Sequence, residues 1–200
     1  MKTPLQIFRS YPGPRDAVFA DLLKSFQHPT KIVQVGGVQI FRADYRVHSG
    51  WSDGFFIQHL ARFGGKLSII DVNKDALENS EALINEMLEA LKPQVDIDID
   101  YILSTGEAFL QSKNNYDLAY LDGSDDPDQM VEQFNALDRE RTSVLCDDWS
   151  IKGTKLATLV PPGSFIHFPA ENGMAFFPSK TLQEAWRKLK AAKTNETHSN

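Results

Sequence analysis

The chain has 200 residues with a net charge of −6, and that acidic balance argues against a nucleic-acid partner, whose phosphates call for a basic surface. One domain can bury a sufficient core at this length without disulfide support, and the single cysteine, Cys146, could not form an internal one. A reducing, cytoplasmic setting is therefore expected: no run nears the ~20 apolar residues that span a bilayer, and the start, broken by Pro4, Pro12 and Pro14, does not read as a signal peptide.

Residues 15–27 have apolar side chains at helical spacing (Val18, Leu22, Leu23, Phe26), and 31–35 is a short, nearly continuous apolar run that stops at Gly36-Gly37. A helix is expected from Ser52 to Phe63, ended by Gly64-Gly65, then a strand over 67–71 closing on Asp71. A long helix over 74–92 is stopped by Pro93. The stretch Asp96-Ile97-Asp98-Ile99-Asp100 alternates polar and apolar, which marks a strand with one wet face or an edge position. A short helix (106–112), a strand (118–122) closing on Asp122, a helix (127–138) and a strand (143–147) running into Asp147-Asp148 follow. The remainder reads as a short helix (154–160), two short strands (165–168 and 174–177) about a turn at Glu171-Asn172-Gly173, and a helix (180–192). The domain is drawn over 1–193, with a disordered polar tail at 194–200. The basic cluster Arg187, Lys188, Lys190 and Lys193 reads as a solvated helix face.

Apolar strands alternating with helices build a parallel sheet buried on both faces, and such sheets bind ligands beyond the carboxyl ends of their strands. One glycine pair and four carboxylates (Asp71, Asp122, Asp147, Asp148) then meet at one rim. Gly36-Gly37 allows a tight turn and close backbone approach to a ligand. GGVQIF lacks G-x-G-x-x-G, and Asp71 comes roughly fifteen residues later than the acidic residue of the dinucleotide fingerprint. The missing fingerprint, with no helix start after the glycines to hold a pyrophosphate, counts against a nicotinamide cofactor. The extra residues, Val38–Trp51, form a long segment rich in large side chains, with Arg42, Asp44, Tyr45, Arg46, His48 and Trp51 among them. It is expected either to lie over the ligand as a lid, with Arg42, Tyr45, Arg46 and Trp51 contacting substrate, or to decorate the surface. His59, on the apolar face of its helix, reads as a core histidine rather than a base.

As a set these segments resemble the class I S-adenosylmethionine-dependent methyltransferases, in the O-methyltransferase-like branch. Val33-Gln34-Val35-Gly36-Gly37 is similar to the family's first motif, although Gln34 stands where an acid is common. Asp71 matches the ribose-binding acid, and Gly106-Glu107 the pair beside the adenine. Tyr116-Asp117-Leu118-Ala119-Tyr120-Leu121-Asp122-Gly123 looks like the fourth-strand motif. The resemblance covers roughly residues 30–178 and implies a Rossmann-like α/β fold: a doubly wound, mostly parallel seven-stranded sheet of order 3-2-1-4-5-7-6 with helices on both faces. It further implies S-adenosyl-L-methionine as cofactor, held by Gly36, Gly37, Asp71, Gly106, Glu107 and Asp122.

Asp122 and Asp147 are the candidate catalytic groups. Asp122, Asp147 and Asp148 match the ligand positions of the metal-dependent members, which makes Mg²⁺ or another divalent cation a candidate. Carboxylates so crowded would repel one another unless a cation lay between them. The catecholate-type enzymes carry lysine, and related bacterial families histidine, three residues beyond the fourth-strand Asp; here Asp125 stands there, leaving the base open. The expected reaction is methyl transfer to a small molecule, at oxygen, with or without metal. A non-catalytic cofactor-binding module is the alternative, and a nicotinamide-dependent oxidoreductase a more distant one. A homodimer is left open.

Overall fold

The structure is a computed structural model that describes residues 2–42, 51–113, 115–170 and 172–197. Seven strands form one sheet: β1 (Thr30–Val35), β2 (Gly65–Asp71), β3 (Ile97–Leu103), β4 (Leu118–Leu121), β5 (Ser143–Cys146), β6 (Ile166–Phe168) and β7 (Met174–Phe177). Their order is β3-β2-β1-β4-β5-β7-β6, as the motifs imply, with β7 antiparallel to β5 and to β6 and the other pairs parallel.

The strands alternate between two apolar layers. Ile32, Leu118, Tyr120 and Leu145 face one layer, which is filled by Phe19, Phe56, Leu60 and Leu83. Val33, Val35, Ala119, Leu121, Val144 and Cys146 face the other, with Phe109, Leu110 and Met130. Double burial explains the continuous apolar runs. β3 alternates because it is the edge: its exposed Asp98 and half-buried Asp100 lie 2.6 and 2.7 Å from Lys66 of β2.

Helices α1 (Pro4–Ser10), α2 (Asp16–Leu23), α3 (Ser52–Phe63) and α4 (Lys74–Leu91) contribute to the first layer. Helices α5 (Gly106–Ser112), α6 (Pro127–Ala136) and α7 (Thr154–Leu159) contribute to the second. α8 (Lys180–Thr197) packs Trp186 6.3 Å from Phe176. α8 continues past Ala192, where its apolar spacing ends, and exposes Arg187, Lys188 and Lys190, as the reading of that cluster expects.

The expectations lacked α1. Its signal is local: Thr3 accepts from the Gln6 amide while the Gln6 side chain accepts from the Thr3 amide, and Pro4 opens the first turn. α2 is also shorter than expected, and Phe26 joins the core from the turn that follows it. Among the described residues no helix is long and apolar enough to cross a membrane.

Candidate functional site

The chain crosses from β3 back to β4 on the far side of β1, so the direction of winding reverses between β1 and β4. Gly36 leaves β1 at that point with φ +101°, its amide bonded to the Ile70 carbonyl at 2.8 Å. A Cβ there would stand 2.8 Å from the Asp122 carbonyl oxygen, and one on Gly37 3.0 Å from the Ala76 carbonyl. Gly36→Ala is therefore expected to lose more than about 1–2 kcal/mol, measured by urea denaturation; unchanged stability would show that the turn relaxes freely.

Asp71 holds the turn from the other side. Its Oδ2 accepts from the Gly37 amide (2.8 Å) and Gln39 Nε2 (3.1 Å), and its Oδ1 from the Asn73 amide (2.8 Å). Asn73 caps α4, which leaves Asp71 free of that duty. The first residues of the inserted segment are pinned rather than loose: Val38 N donates to Ser80 Oγ (3.0 Å), and Asn79 Nδ2 to the Gln39 carbonyl (3.1 Å). Trp51 is buried, its ring centroid 5.4 Å from that of Phe41. Arg42 is exposed; Asp44, Tyr45, Arg46 and His48 lie outside the described residues.

Two cavities adjoin at the rim. The smaller, about 290 Å³, lies over Gly36, Asp71, Val72, Gly106, Glu107 and Gln133. The larger, about 500 Å³, is bounded by Gly37, Trp51, Asp122, Asp125, Asp148 and Lys152. Asp71, Val72, Gly123 and Ser124 line both. Gly106 presses on β1, where a Cβ would come within 2.7 Å of Val35 Cγ1, and Glu107 accepts from Gln133 Nε2 at 2.5 Å, tying α5 to α6. Val72, at the shared wall, is an exposed apolar side chain.

The three aspartates expected as metal ligands do converge, one oxygen from each lying within 4.8 Å of the others. Two cations already serve them. Arg15, in front of α2, has Nε 3.0 Å from Asp147 Oδ1 and Nη2 2.5 Å from Asp148 Oδ1. Lys152 Nζ stands 2.6 Å from Asp122 Oδ1, 3.3 Å from Asp148 Oδ2 and 3.8 Å from Asp125. The Tyr120 hydroxyl donates to Asp147 Oδ2 (2.7 Å) and lies 3.2 Å from Asp122 Oδ2. The Asp148 amide donates to Asp147 Oδ1 (2.9 Å), and Asn172 Nδ2 to Asp148 Oδ1 (3.1 Å). Asp148 takes φ +45°, a value rare outside glycine, and from there its carbonyl caps the turn that carries Lys152. With these oxygens occupied, the donor set as arranged does not fit a divalent ion.

Burial alone pushes the Asp147 carboxyl up, the neighbouring Asp122 adds to this, and Arg15 opposes it. Burial works against the charge on Lys152 too, but Asp122, Asp148 and Asp147 outweigh it and hold the ammonium above its usual range. Lys152 is thus a fixed cation and no base. His59 is the core histidine expected: the Thr30 hydroxyl donates to the His28 carbonyl (2.7 Å), so His59 Nε2 donates to Thr30 Oγ1 (3.1 Å). Burial, with His28 and Arg62 nearby, lowers its pKa to about 4. His167 lines neither cavity and packs against Gly173 in the terminal strand pair.

Sequence reasoning missed Arg15, Lys152 and Asp53. Lys152 follows Asp148 at the i,i+4 interval, a usable signal. Arg15 is 133 positions from Asp148, and no local pattern joins them. Asp53 is fully buried in the first turn of α3, with neither carboxylate oxygen in a well-formed hydrogen bond among the described residues.

No protein-family profile and no curated protein sequence matches the chain. Among solved structures, it is similar to cofactor-bound Rv0187 from MTB, with a TM-score of 0.53 and 12% identity over 88% of each chain. Spermidine synthase from Thermotoga maritima gives a TM-score of 0.47 at 15% identity, over 79% of this chain and 57% of the synthase. A SAM-dependent methyltransferase from Thiobacillus denitrificans in complex with S-adenosyl-L-homocysteine gives 0.40 at 15% identity, over 73% of this chain and 55% of that one. The chain thus spans little more than half the length of the last two. At such identities the likeness is one of fold, and it is the Rossmann-like α/β fold expected.

Proposed function

We propose that the protein binds S-adenosyl-L-methionine across the two cavities and transfers its methyl group to a small-molecule acceptor, at oxygen. The observation that carries this reading is the shared wall. A ligand spanning both cavities would bring its middle portion against Asp71, whose oxygens can accept from vicinal hydroxyls, beside a glycine turn that leaves room for backbone approach. The smaller cavity, with the Val72 side chain at its edge, suits a flat apolar base. The lack of any helix over residues 36–42, directly after β1, removes the N-terminal amides that a pyrophosphate needs and disfavours a nicotinamide dinucleotide. Rv0187, of the same fold, is cofactor-bound.

Bound there, the cofactor would supply an electrophilic methyl carbon, and the protein's part is chiefly alignment. Gly36 on the smaller cavity and Gly37 on the larger would flank the sulfonium, with Asp122 and Asp148 on the wall of the larger cavity. Asp122, on the larger cavity, is the carboxylate that would orient an acceptor hydroxyl. Asp147, fully buried, lines neither cavity and is linked to Asp122 through the Tyr120 hydroxyl. The small-molecule acceptor, oxygen as the reacting atom and action without a membrane or nucleic-acid partner belong to this proposal.

Titration calorimetry with S-adenosylhomocysteine and with NAD tests it. One site for the former is expected, weakened by about 1.5–3 kcal/mol in a folded Asp71→Ala variant, the scale of hydrogen bonds to a charged group. Binding of NAD instead, or of neither, would overturn the reading, and unchanged affinity in the variant would remove Asp71 from the site.

A further inference from the structure

Three carboxylates converge on one point of the rim, and a divalent ion is the ordinary means of holding such a group together. Asp122 is held by Lys152, Asp147 by Arg15, and Asp148 by both. We infer that the ammonium of Lys152 is a built-in substitute for a divalent metal, so that the cluster excludes Mg²⁺ and Mn²⁺ and only loss of Lys152 opens it to them.

The two cations differ in place. Arg15, at the N-terminus of α2, is buried and lines neither cavity, and it reaches the cluster at Asp147 and Asp148. Lys152 reaches it from the cavity side and, although itself buried, forms part of the wall of the larger cavity. An ion entering from that cavity would have to displace Lys152 first. Its ammonium pairs with Asp148 Oδ2 at 3.3 Å, and donates to Asp122 Oδ1 at 2.6 Å and to the Asp122 carbonyl at 3.4 Å. That last contact matters because the same carbonyl packs against Gly36, so Lys152 braces the turn of β4 against the turn of β1. The ammonium takes up Asp122 and Asp148 on the side from which an ion would come, so a divalent ion could reach all three carboxylates only once Lys152 is gone.

This inference stands apart from the methyl-transfer reading, since it concerns the cation alone, and its test uses metal without cofactor. Mn²⁺ is titrated into the full chain, its binding read from loss of the free-ion electron-spin signal and from the melting temperature. The wild type is expected to bind no Mn²⁺ at millimolar concentration and to melt unchanged. Lys152→Ala or Lys152→Met is expected to bind one Mn²⁺ and to melt higher with it. A variant unfolded alone that folds when Mn²⁺ is added supports the inference equally. The double variant Lys152→Ala/Asp148→Ala should lose the gain. One Mn²⁺ bound by the wild type and lost in Asp148→Ala would overturn it. So would a Lys152 variant that ignores Mn²⁺, whether folded or unfolded.

Discussion

Replacing Arg15 by methionine is expected to destabilise the fold by about 3–5 kcal/mol, the scale on which removing one member of a buried ion pair leaves its partner uncompensated. The stranded group is Asp147, which has no solvent exposure and already carries a raised pKa from burial and from the charge of Asp122. Tyr120 gives it one hydrogen bond and the Asp148 amide another, but neither brings positive charge. Lys152 offers little relief, because it is held against Asp122 and Asp148 on the other side of the cluster. Methionine keeps much of the volume of the arginine stem, so lost packing contributes little. The double variant Arg15→Met/Asp147→Asn should recover most of the loss, since the charge needing a partner is then gone. Urea denaturation of the four proteins checks this. An Arg15→Met cost below about 1 kcal/mol, the worth of a surface pair, would mean that Asp147 is neutral or hydrated in the wild type.

How far the sequence discloses this site depends on the distance over which each feature is set. The strand ends are legible because double burial makes β1, β2, β4 and β5 continuous apolar runs, and each run halts where the chain meets the rim: Gly36, Asp71, Asp122, Asp147. β3 is legible as an edge because Asp98 and Asp100 alternate with Ile97 and Ile99. α1 is also written locally, in Thr3, Pro4 and Gln6, but its apolar pattern is too short to mark a helix by periodicity. The cations are another matter. The need for positive charge among the aspartates follows from their spacing, and a divalent ion is the general answer to it. That this chain answers with Arg15 and Lys152 is set by tertiary packing: Phe19 of α2 lies 5.3 Å from Tyr120 and seats the helix that brings Arg15 in. The inserted segment divides similarly. Val38 and Gln39 are hydrogen-bonded to α4 and Trp51 is buried against Phe41, contacts set by tertiary packing, while Asp44, Tyr45, Arg46 and His48 lie outside the described residues.

Asp53→Asn is expected to raise stability by about 3 kcal/mol near pH 8, a gain from removing a charge rather than adding a contact. Burial raises the Asp53 pKa from 3.8 to about 6, with Ser80 and Gln34 offsetting only part and Asp122 adding to it. The folded state thus binds this proton more tightly than the unfolded chain. The stability it contributes is full below pH 3.8, falls as pH rises towards about 6, and above that the ionised carboxylate is a constant burden. The surroundings ask for a donor at this place. Gln34 Nε2 donates to the Gly36 carbonyl at 2.5 Å, which leaves Gln34 Oε1 buried without a partner among the described residues. Ser80 Oγ accepts from Val38, and its own proton is available to the residue at 53. An asparagine amide can donate to one and accept from the other at every pH. Urea denaturation at about pH 5 and about pH 8 separates this account from a packing effect, because the gap between variant and wild type must widen at the higher pH. His59, whose pKa is lowered to about 4, makes both proteins less stable as pH falls below 6.5, and it cancels in the difference. An equal gap at both pH values, or a variant less stable at pH 8, would mean that the Asp53 carboxylate is well solvated or paired in the folded protein.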